Sequence, residues 1–293
     1  MFRVYSIKKI TSDLILLGRY NQPTGIFLLM WPCWWGVAIA KPTLFDLLSF
    51  CFLFALGSIT MRAAGCAWND LIDKDLDAKV KRTKNRPLAA KRLSISYAII
   101  FIIFNSLMGL VVLMFLPKIS FFIAIGSIPL IILYPFMKRV TWWPQLWLGL
   151  TFNWGLFVGW SCVTKEYPNV FLIIFYIGCI LWTLSYDTAY ALQDVQYDKK
   201  AGIKSSAVFL ENFAKLFMLI NTFLACLLWI TGAIFLKLNI LSILGIILAS
   251  LLIMTFTAKT KIHNTEKCLE LFKLNHKCAG LIFLSLASNS SLI

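Results

Sequence analysis

The chain has 293 residues, of which 60% are hydrophobic and 14% are charged, and its mean hydropathy is +0.80. These values exclude a soluble domain of this size and indicate a polytopic membrane protein. The net charge of +15 fits anionic membrane lipid and phosphorylated substrates, and because no basic stretch follows the pattern of a soluble nucleic-acid module, we expect no nucleic acid partner.

Apolar runs of spanning length predict nine transmembrane helices, the last of them short. No linker or change of composition divides the chain. We therefore expect an all-α fold with about nine spans in one domain, residues 1–293. The predicted spans are 24–40, 44–66, 95–116, 119–136, 144–164, 169–190, 213–236, 238–258 and 278–293.

The basic residues divide unequally between the two sides of the predicted bundle. Of 28 Lys and Arg residues, all but Lys41, Lys118, Lys165 and Lys237 are counted on the side of the N-terminal segment and the longer loops. The positive-inside rule places this side in the cytoplasm. Nine spans would then place the C-terminus on the opposite side.

An acidic stretch follows the second apolar run and places four carboxylates between Asn69 and Asp77, in a chain that has 13 Asp and Glu residues. If the stretch is helical, Asn69, Asp73 and Asp77 share one face. Hard oxygen ligands of this kind suit Mg²⁺. The alternative interpretation is the start of a solvated acidic loop.

A basic run comes directly after the acidic stretch, before Pro87, and comprises Lys79, Lys81, Arg82, Lys84 and Arg86. Acidic residues followed at once by basic ones are expected where a metal ion and cationic side chains together bind a diphosphate. A basic patch that binds lipid headgroups is the alternative.

A second acidic series begins at the end of the sixth span, with Asp187, Asp194 and Asp198. On a continuous α-helix these spacings return to nearly the same direction, so we expect the three carboxylates to share one stripe, flanked by Tyr190 and followed by Lys204. Two acidic series on the same membrane face, each trailed by basic residues, indicate a functional site.

The fourth span closes with Tyr134, Lys138 and Arg139, whose cations lie on the same predicted face. Taken alone, these two cations are ordinary positive-inside anchors. Arg19 lies just before the first span, and its position alone assigns it no role.

Over nearly its whole length the chain resembles the UbiA superfamily of intramembrane aromatic prenyltransferases. One departure is Gln22, where relatives tend to carry Lys or Arg before the turn at residues 23–25. The resemblance is carried by residues 61–66, 69–77, 80–88, 134–139, 144–145, 186–191 and 194–205.

The resemblance implies helices around a central cavity, with Mg²⁺ and the diphosphate bound by the two acidic motifs. Arg139 and Asp187 would lie near the aromatic acid and, with Asp73 and Asp194, form the expected catalytic set. The expected metal ligands are Asn69, Asp70, Asp73, Asp77, Asp194 and Asp198. The expected substrate-binding residues are Arg62, Lys81, Arg82, Arg86, Tyr134, Lys138, Tyr190 and Lys204.

The implied activity is transfer of a polyprenyl group from polyprenyl diphosphate to the ring carbon next to the hydroxyl of 4-hydroxybenzoate, in ubiquinone biosynthesis at a bacterial inner membrane. The acceptor's carboxylate needs a cationic partner, for which Arg139, Lys138 and Arg62 are candidates. One alternative is another acceptor, such as 1,4-dihydroxy-2-naphthoate, homogentisate or haem. The other is a transporter, although its ionisable residues should lie near mid-membrane on several helices.

Overall fold

The computed structural model describes residues 7–291, which form α-helices joined by short loops and one short 3₁₀ turn, without a β-strand in that range. In chain order the helices are α1 (Ile7–Leu17), α2 (Thr24–Ile39), α3 (Leu44–Asp77), α4 (Ile95–Met114), α5 (Lys118–Ile125), α6 (Ile128–Val140), α7 (Pro144–Asn153), α8 (Gly155–Thr164), α9 (Val170–Ala191), α10 (Val195–Ala201), α11 (Ser206–Leu210), α12 (Ala214–Phe235), α13 (Ile240–Lys259) and α14 (Thr265–Ala287).

Seven helical segments within the described range are long and apolar enough to cross a membrane. Helix α2 is apolar but shorter, and α14 is long enough but less apolar. The all-α membrane architecture is confirmed, whereas the count of nine spans stays a prediction. The seven segments are Leu44–Asp77, Ile95–Met114, Lys118–Val140, Pro144–Thr164, Val170–Ala191, Ser206–Phe235 and Ile240–Lys259.

Three predicted spans differ from the observed helices. The run 119–136 is broken between α5 and α6 by a turn at residues 126–127, and the run 144–164 is broken at Trp154, between α7 and α8. The last helix begins at Thr265, well before the predicted start at 278, because its first three turns are polar and escape a search for apolar runs. Residues 292–293 of that predicted span lie outside the described range.

Helix α3 carries the first acidic stretch beyond the membrane. Its 34 residues extend about 50 Å at 1.5 Å per residue, whereas a hydrocarbon core is about 30 Å thick. The Thr43 side chain caps its start by accepting a hydrogen bond from the Asp46 N–H at 3.1 Å. The last turns, which contain Asp70–Asp77, therefore extend past the hydrocarbon, and the predicted helical conformation of this stretch is confirmed.

An aromatic core holds the bundle together away from the acidic residues. The Trp35 ring lies 5.3 Å from that of Trp182 and 5.5 Å from that of Trp229, and all three side chains are buried. The Trp35 indole N–H donates to the Ala279 carbonyl at 3.0 Å. This core joins α2, α9, α12 and α14.

The helix directions bring both acidic stretches to one end of the bundle, which we call the acidic end. The end of α3, the loop 78–94 and the segment 192–205 meet there through ion pairs, and Tyr190 near the end of α9 accepts a hydrogen bond from Arg82. At the opposite end, Ser291 pairs with Thr43 next to the start of α3. The last described residue therefore lies opposite the acidic end.

Candidate active site

The end of α3 presents a buried acidic stripe made of Asp70, Asp73 and Asp77, which are 1%, 0% and 6% exposed. These positions are three and four residues apart and so share one face of the helix. Asn69, four residues before Asp73 on the same helix, is half-buried. Asp75 points away and is exposed.

Two arginines hold the buried stripe from outside the helix. Arg86, in the loop after α3, donates to Asp70 at 3.0 Å and to Asp77 at 2.8 Å. Arg19, just after α1, donates to both oxygens of Asp70 at 2.8 and 2.7 Å. The Thr83 hydroxyl donates to the Asp77 carbonyl at 2.9 Å and thereby folds the loop back onto the end of the helix.

The second acidic series is not on one continuous helix, and this prediction is wrong. Helix α9 ends at Ala191, and the chain turns before Asp194, which precedes the first residue of α10. The turn separates Asp187, inside α9, from Asp194 and Asp198. It also lets Asp194 face the loop that follows α3.

Arg82 joins the two acidic series. Its Nε donates to both Asp194 oxygens at 2.8 Å, and its Nη2 donates to Oδ2 at 2.5 Å. Its Nη1 donates to the Tyr190 hydroxyl at 2.9 Å, and the guanidinium lies 5.1 Å from the centre of the Tyr190 ring. One basic loop, carrying Arg82 and Arg86, thus contacts both acidic motifs.

The end of α6 supplies the cations that face Asp73. Lys138 and Arg139 both form ion pairs with this carboxylate, and Arg139 also donates to the Ile72 carbonyl at 2.9 Å. Arg139 was expected beside the aromatic acid, but the structure places it against Asp73 with 45% of its side chain exposed. The cause is the length of α3, which brings Asp73 level with the end of α6.

Two predicted substrate-binding lysines do not reach the carboxylates. Lys81 is exposed, and no ion pair links it to another residue of the described chain. The Lys204 amine donates to the Val140 carbonyl at 3.2 Å and lies over the Trp142 ring. The Lys204 backbone N–H does donate to the Lys138 carbonyl at 3.1 Å, so its loop closes on the end of α6.

A cluster of aromatic and ionisable side chains lies on the membrane side of these ion pairs. The Arg62 guanidinium lies 5.3 Å from the centre of the Phe152 ring, and its buried Nε has no hydrogen-bond partner. The charge of Arg62 acts on Asp187, and Tyr134 lies within electrostatic range of both. Tyr186 also belongs to this group, and its buried hydroxyl makes no hydrogen bond of its own.

Gly25 is needed where α2 passes Arg62. A Cβ atom at this position would lie 2.7 Å from both Nε and Nη2 of Arg62, closer than real Cβ contacts come. The turn at residues 23–25 therefore leaves room for the guanidinium. In the sequence, the motif Pro23-Thr24-Gly25 is the signal for this contact.

The carboxylates at the acidic end suit a hard divalent cation by their chemistry. Buried Asp73 faces the Lys138 amine with Oδ2 and the Arg139 guanidinium with Oδ1, and no ion pair involves the side chain of Asp198 within residues 7–291. Burial, followed by the charge of Asp194, raises the pKa of Asp198 to about 7. Oxygen donors whose negative charges oppose one another are what Mg²⁺ relieves.

These donors do not form a ready-made metal cage. Over the described range, no three acidic, His or Cys side chains converge on one point. Arginine and lysine side chains hold Asp70, Asp73, Asp77 and Asp194 instead. In this structure, therefore, these four expected metal ligands are paired with cationic side chains.

Sequence comparisons identify relatives of this chain. The model of the UbiA prenyltransferase family matches residues 29–285. The mitochondrial 4-hydroxybenzoate polyprenyltransferase of Drosophila pseudoobscura pseudoobscura is 44% identical over 205 residues, which are 69% of this chain and 51% of the relative. The 4-hydroxybenzoate octaprenyltransferase of Francisella tularensis subsp. mediasiatica is 37% identical over 269 residues, covering 92% of this chain and 94% of the relative.

The mitochondrial protein of the same name from Arabidopsis thaliana is 41% identical over 203 residues. The chain spans about half the length of the Drosophila and Arabidopsis relatives that it matches.

Solved structures share the fold. A UbiA homolog from Aeropyrum pernix superimposes with a TM-score of 0.75 at 23% identity, covering 90% of this chain and 97% of the other. A UbiA homolog from Archaeoglobus fulgidus, bound to DMAPP and Mg²⁺, gives a TM-score of 0.68 at 19% identity, covering 96% and 100%. Because the family model matches most of its length, the chain belongs to the UbiA prenyltransferase family.

Proposed function

We propose that this protein transfers a polyprenyl group from polyprenyl diphosphate to the ring carbon next to the hydroxyl of 4-hydroxybenzoate, a step of ubiquinone biosynthesis. One observation carries the proposal: a single basic loop contacts both acidic motifs through ion pairs, and Arg62 lies about two turns before the first motif on the same helix, α3. Relatives named for this activity support it.

The residues that would hold Mg²⁺ are Asn69, Asp73 and Asp77 of the first motif and Asp194 and Asp198 of the second. When bound, Mg²⁺ supplies positive charge that stabilises the departing diphosphate. The cations that neutralise these carboxylates in the free protein, Arg82, Arg86 and Lys138, bind the diphosphate oxygens. Cationic side chains thus exchange one set of anionic partners for another when the substrate enters.

The aromatic side chains around Arg62 protect the allylic cation that forms when the C–O bond to diphosphate breaks. Tyr134, Phe152 and Tyr186 present aromatic faces that stabilise a carbocation. Tyr186 is buried and the other two are half-buried, so together they exclude water that would quench the cation. The ring carbon of the acceptor then attacks the cation to form the new C–C bond. Asp187, which has no ion-pair partner in the described chain, takes the proton that this carbon releases.

Arg62 is the partner of the acceptor's carboxylate. Of the three candidate cations, Arg139 and Lys138 are engaged by Asp73, whereas the buried Arg62 Nε has no hydrogen bond. A buried guanidinium with a free donor favours a carboxylate, which it can bind with two parallel hydrogen bonds. Selection of an aromatic acid follows from this placement.

Purified protein with Mg²⁺, a polyprenyl diphosphate and one acceptor at a time tests the activity. We expect product with 4-hydroxybenzoate. Product with 1,4-dihydroxy-2-naphthoate or homogentisate, and none with 4-hydroxybenzoate, would show that the other compound is the acceptor. Absence of product with every acceptor would leave the transporter alternative.

The Arg62→Gln variant tests the acceptor site. We expect its KM for 4-hydroxybenzoate to rise at least about tenfold, while its KM for the prenyl diphosphate stays within about twofold. Phenol, which lacks the carboxylate, is the matched acceptor, and its slow prenylation should not change in the variant. Equal losses with both acceptors would contradict a carboxylate contact.

We also propose that residues 1–293 act as one domain in a bacterial inner membrane, with the acidic end on the cytoplasmic side. The family match over residues 29–285, the Francisella relative and the distribution of basic residues support this placement.

A further inference from the structure

Arg19 makes contacts that the proposed reaction has not used. It lies after the last residue of α1 in a left-handed backbone conformation, with φ of 58°. Its Nη1 donates to the Leu16 carbonyl at 2.6 Å, which orients the guanidinium, and its Nη2 lies between the two oxygens of Asp70. Its side chain is 16% exposed and that of Asp70 is 2% exposed.

The contact with Asp70 is the first link of a line of alternating charges. Asp70 also accepts a hydrogen bond from Arg86, whose Nη1 donates to Asp77 as well. The line therefore runs Arg19, Asp70, Arg86, Asp77. Because Arg19 neutralises Asp70, the charge of Arg86 remains available to groups on its other side.

We infer that Arg19 is a positioning residue that acts through Asp70 to set Arg86 at the diphosphate-binding site, and that Asp70 serves as its anchor and not as a metal ligand. The inference rests on the proposed function. Both oxygens of Asp70 accept hydrogen bonds from arginine side chains, three in all, from Arg19 and Arg86, whereas the cations beside Asp73 come from the end of α6. A carboxylate used in this way is a counter-ion inside the protein.

The line of charges predicts that a second substitution restores the KM that the first one raises. In Arg19→Ala, Asp70 loses one of its two cations and draws Arg86 toward itself, so we expect KM for polyprenyl diphosphate to rise about tenfold with kcat changed less than about threefold. Adding Asp70→Asn to this variant removes the unpaired charge and should restore KM to within about threefold of wild type. Removal of a metal ligand would instead worsen the single variant. Arg19→Lys should behave close to wild type.

Arg92→Ala is the matched control. Arg92 belongs to the same loop as Arg86 and pairs with Asp13 on α1 at 2.9 Å, so it ties this loop to α1 without touching the acidic motifs. We expect its kinetic constants to be unchanged. If Arg92→Ala raises KM as much as Arg19→Ala does, general loosening of α1 from its neighbours explains both and the inference is wrong.

Binding of Mn²⁺, followed by electron paramagnetic resonance of the purified protein without substrate, separates the two roles of the aspartates. Asp70→Asn should bind Mn²⁺ within about threefold of wild type, whereas Asp73→Asn should lose this binding. Loss of Mn²⁺ binding in Asp70→Asn would overturn the inference. A wild-type protein that binds Mn²⁺ but makes no prenylated product would instead count against the proposed function.

Discussion

At the scale of single residues, Asp73 is where α3 and α6 meet in the proposed site. Its side chain is completely buried, yet it lies between the Lys138 and Arg139 side chains at the membrane face. Burying a carboxylate costs desolvation free energy even when two cations lie beside it. A role in binding a charged ligand explains why the residue is present.

The Asp73→Asn variant tests this role, with Asp75→Asn as the matched control on the same helix. Loss of a ligand that stabilises the leaving group should lower kcat/KM at least about a hundredfold, or about 2.7 kcal/mol in activation free energy. Asp75 is exposed and should tolerate the same change. Initial rates at saturating Mg²⁺ provide the measurement, and an Asp73→Asn rate above about a tenth of wild type would exclude Asp73 as a ligand.

Residue spacing predicted the first acidic stripe well, and the second acidic series and the cations poorly. Asp73 and Asp77 share a face because the helix period is local, so a few residues of sequence suffice. The pair between Arg19 and Asp70 joins residues 51 positions apart, and hydropathy gives no signal for such a contact. Arg62 could be singled out because a guanidinium inside an apolar run is costly unless it has a partner.

At the scale of helices, α2 and α8 pack in close contact. A Cβ atom on Gly36 would lie 2.1 Å from the Leu156 carbonyl oxygen and 2.8 Å from the Trp160 nitrogen. Small residues allow such close approach in membrane bundles, where packing replaces the hydrophobic driving force. The crossing therefore depends on glycine.

We predict that Gly36→Ala destabilises the folded protein by about 1–3 kcal/mol or more, since the obstructing atoms belong to the backbone and cannot move aside. Gly65→Ala is the control, because no heavy atom lies within 4 Å of a Cβ at that position in α3. Helix propensity should make this control neutral or more stable by up to about 1 kcal/mol. Thermal unfolding in one detergent compares the two variants. Equal melting temperatures would contradict a close contact between α2 and α8 that depends on Gly36.

The number of apolar runs anticipated the order of the long helices but not their breaks. A hydropathy search averages over many residues, so the turn at residues 126–127 and the turn at Trp154 do not register. The turn before Asp194 was not predicted either, because the expectation that the second acidic series shares one face assumes a continuous helix. These breaks depend on contacts with neighbouring helices, which a single sequence does not display.

At the scale of the whole molecule, the helix directions place the acidic stretches at one end and Glu166 and Ser291 at the other. The four Lys residues outside the basic side lie in loops or at helix starts of that second end. Structure and charge therefore agree on which residues share a side, and the positive-inside rule gives that side its direction in the cell.

Single cysteines at exposed positions test this direction in intact bacterial cells. A thiol reagent that does not cross membranes should label Glu166→Cys at once, and should label Asp75→Cys and Lys199→Cys only after the cells are permeabilised. The native protein gives the background, which should be low because seven of its eight cysteines are buried and Cys226 lies within α12. The reverse pattern would place the acidic end outside the cell, where a prenyl donor made in the cytoplasm could not reach it without transport.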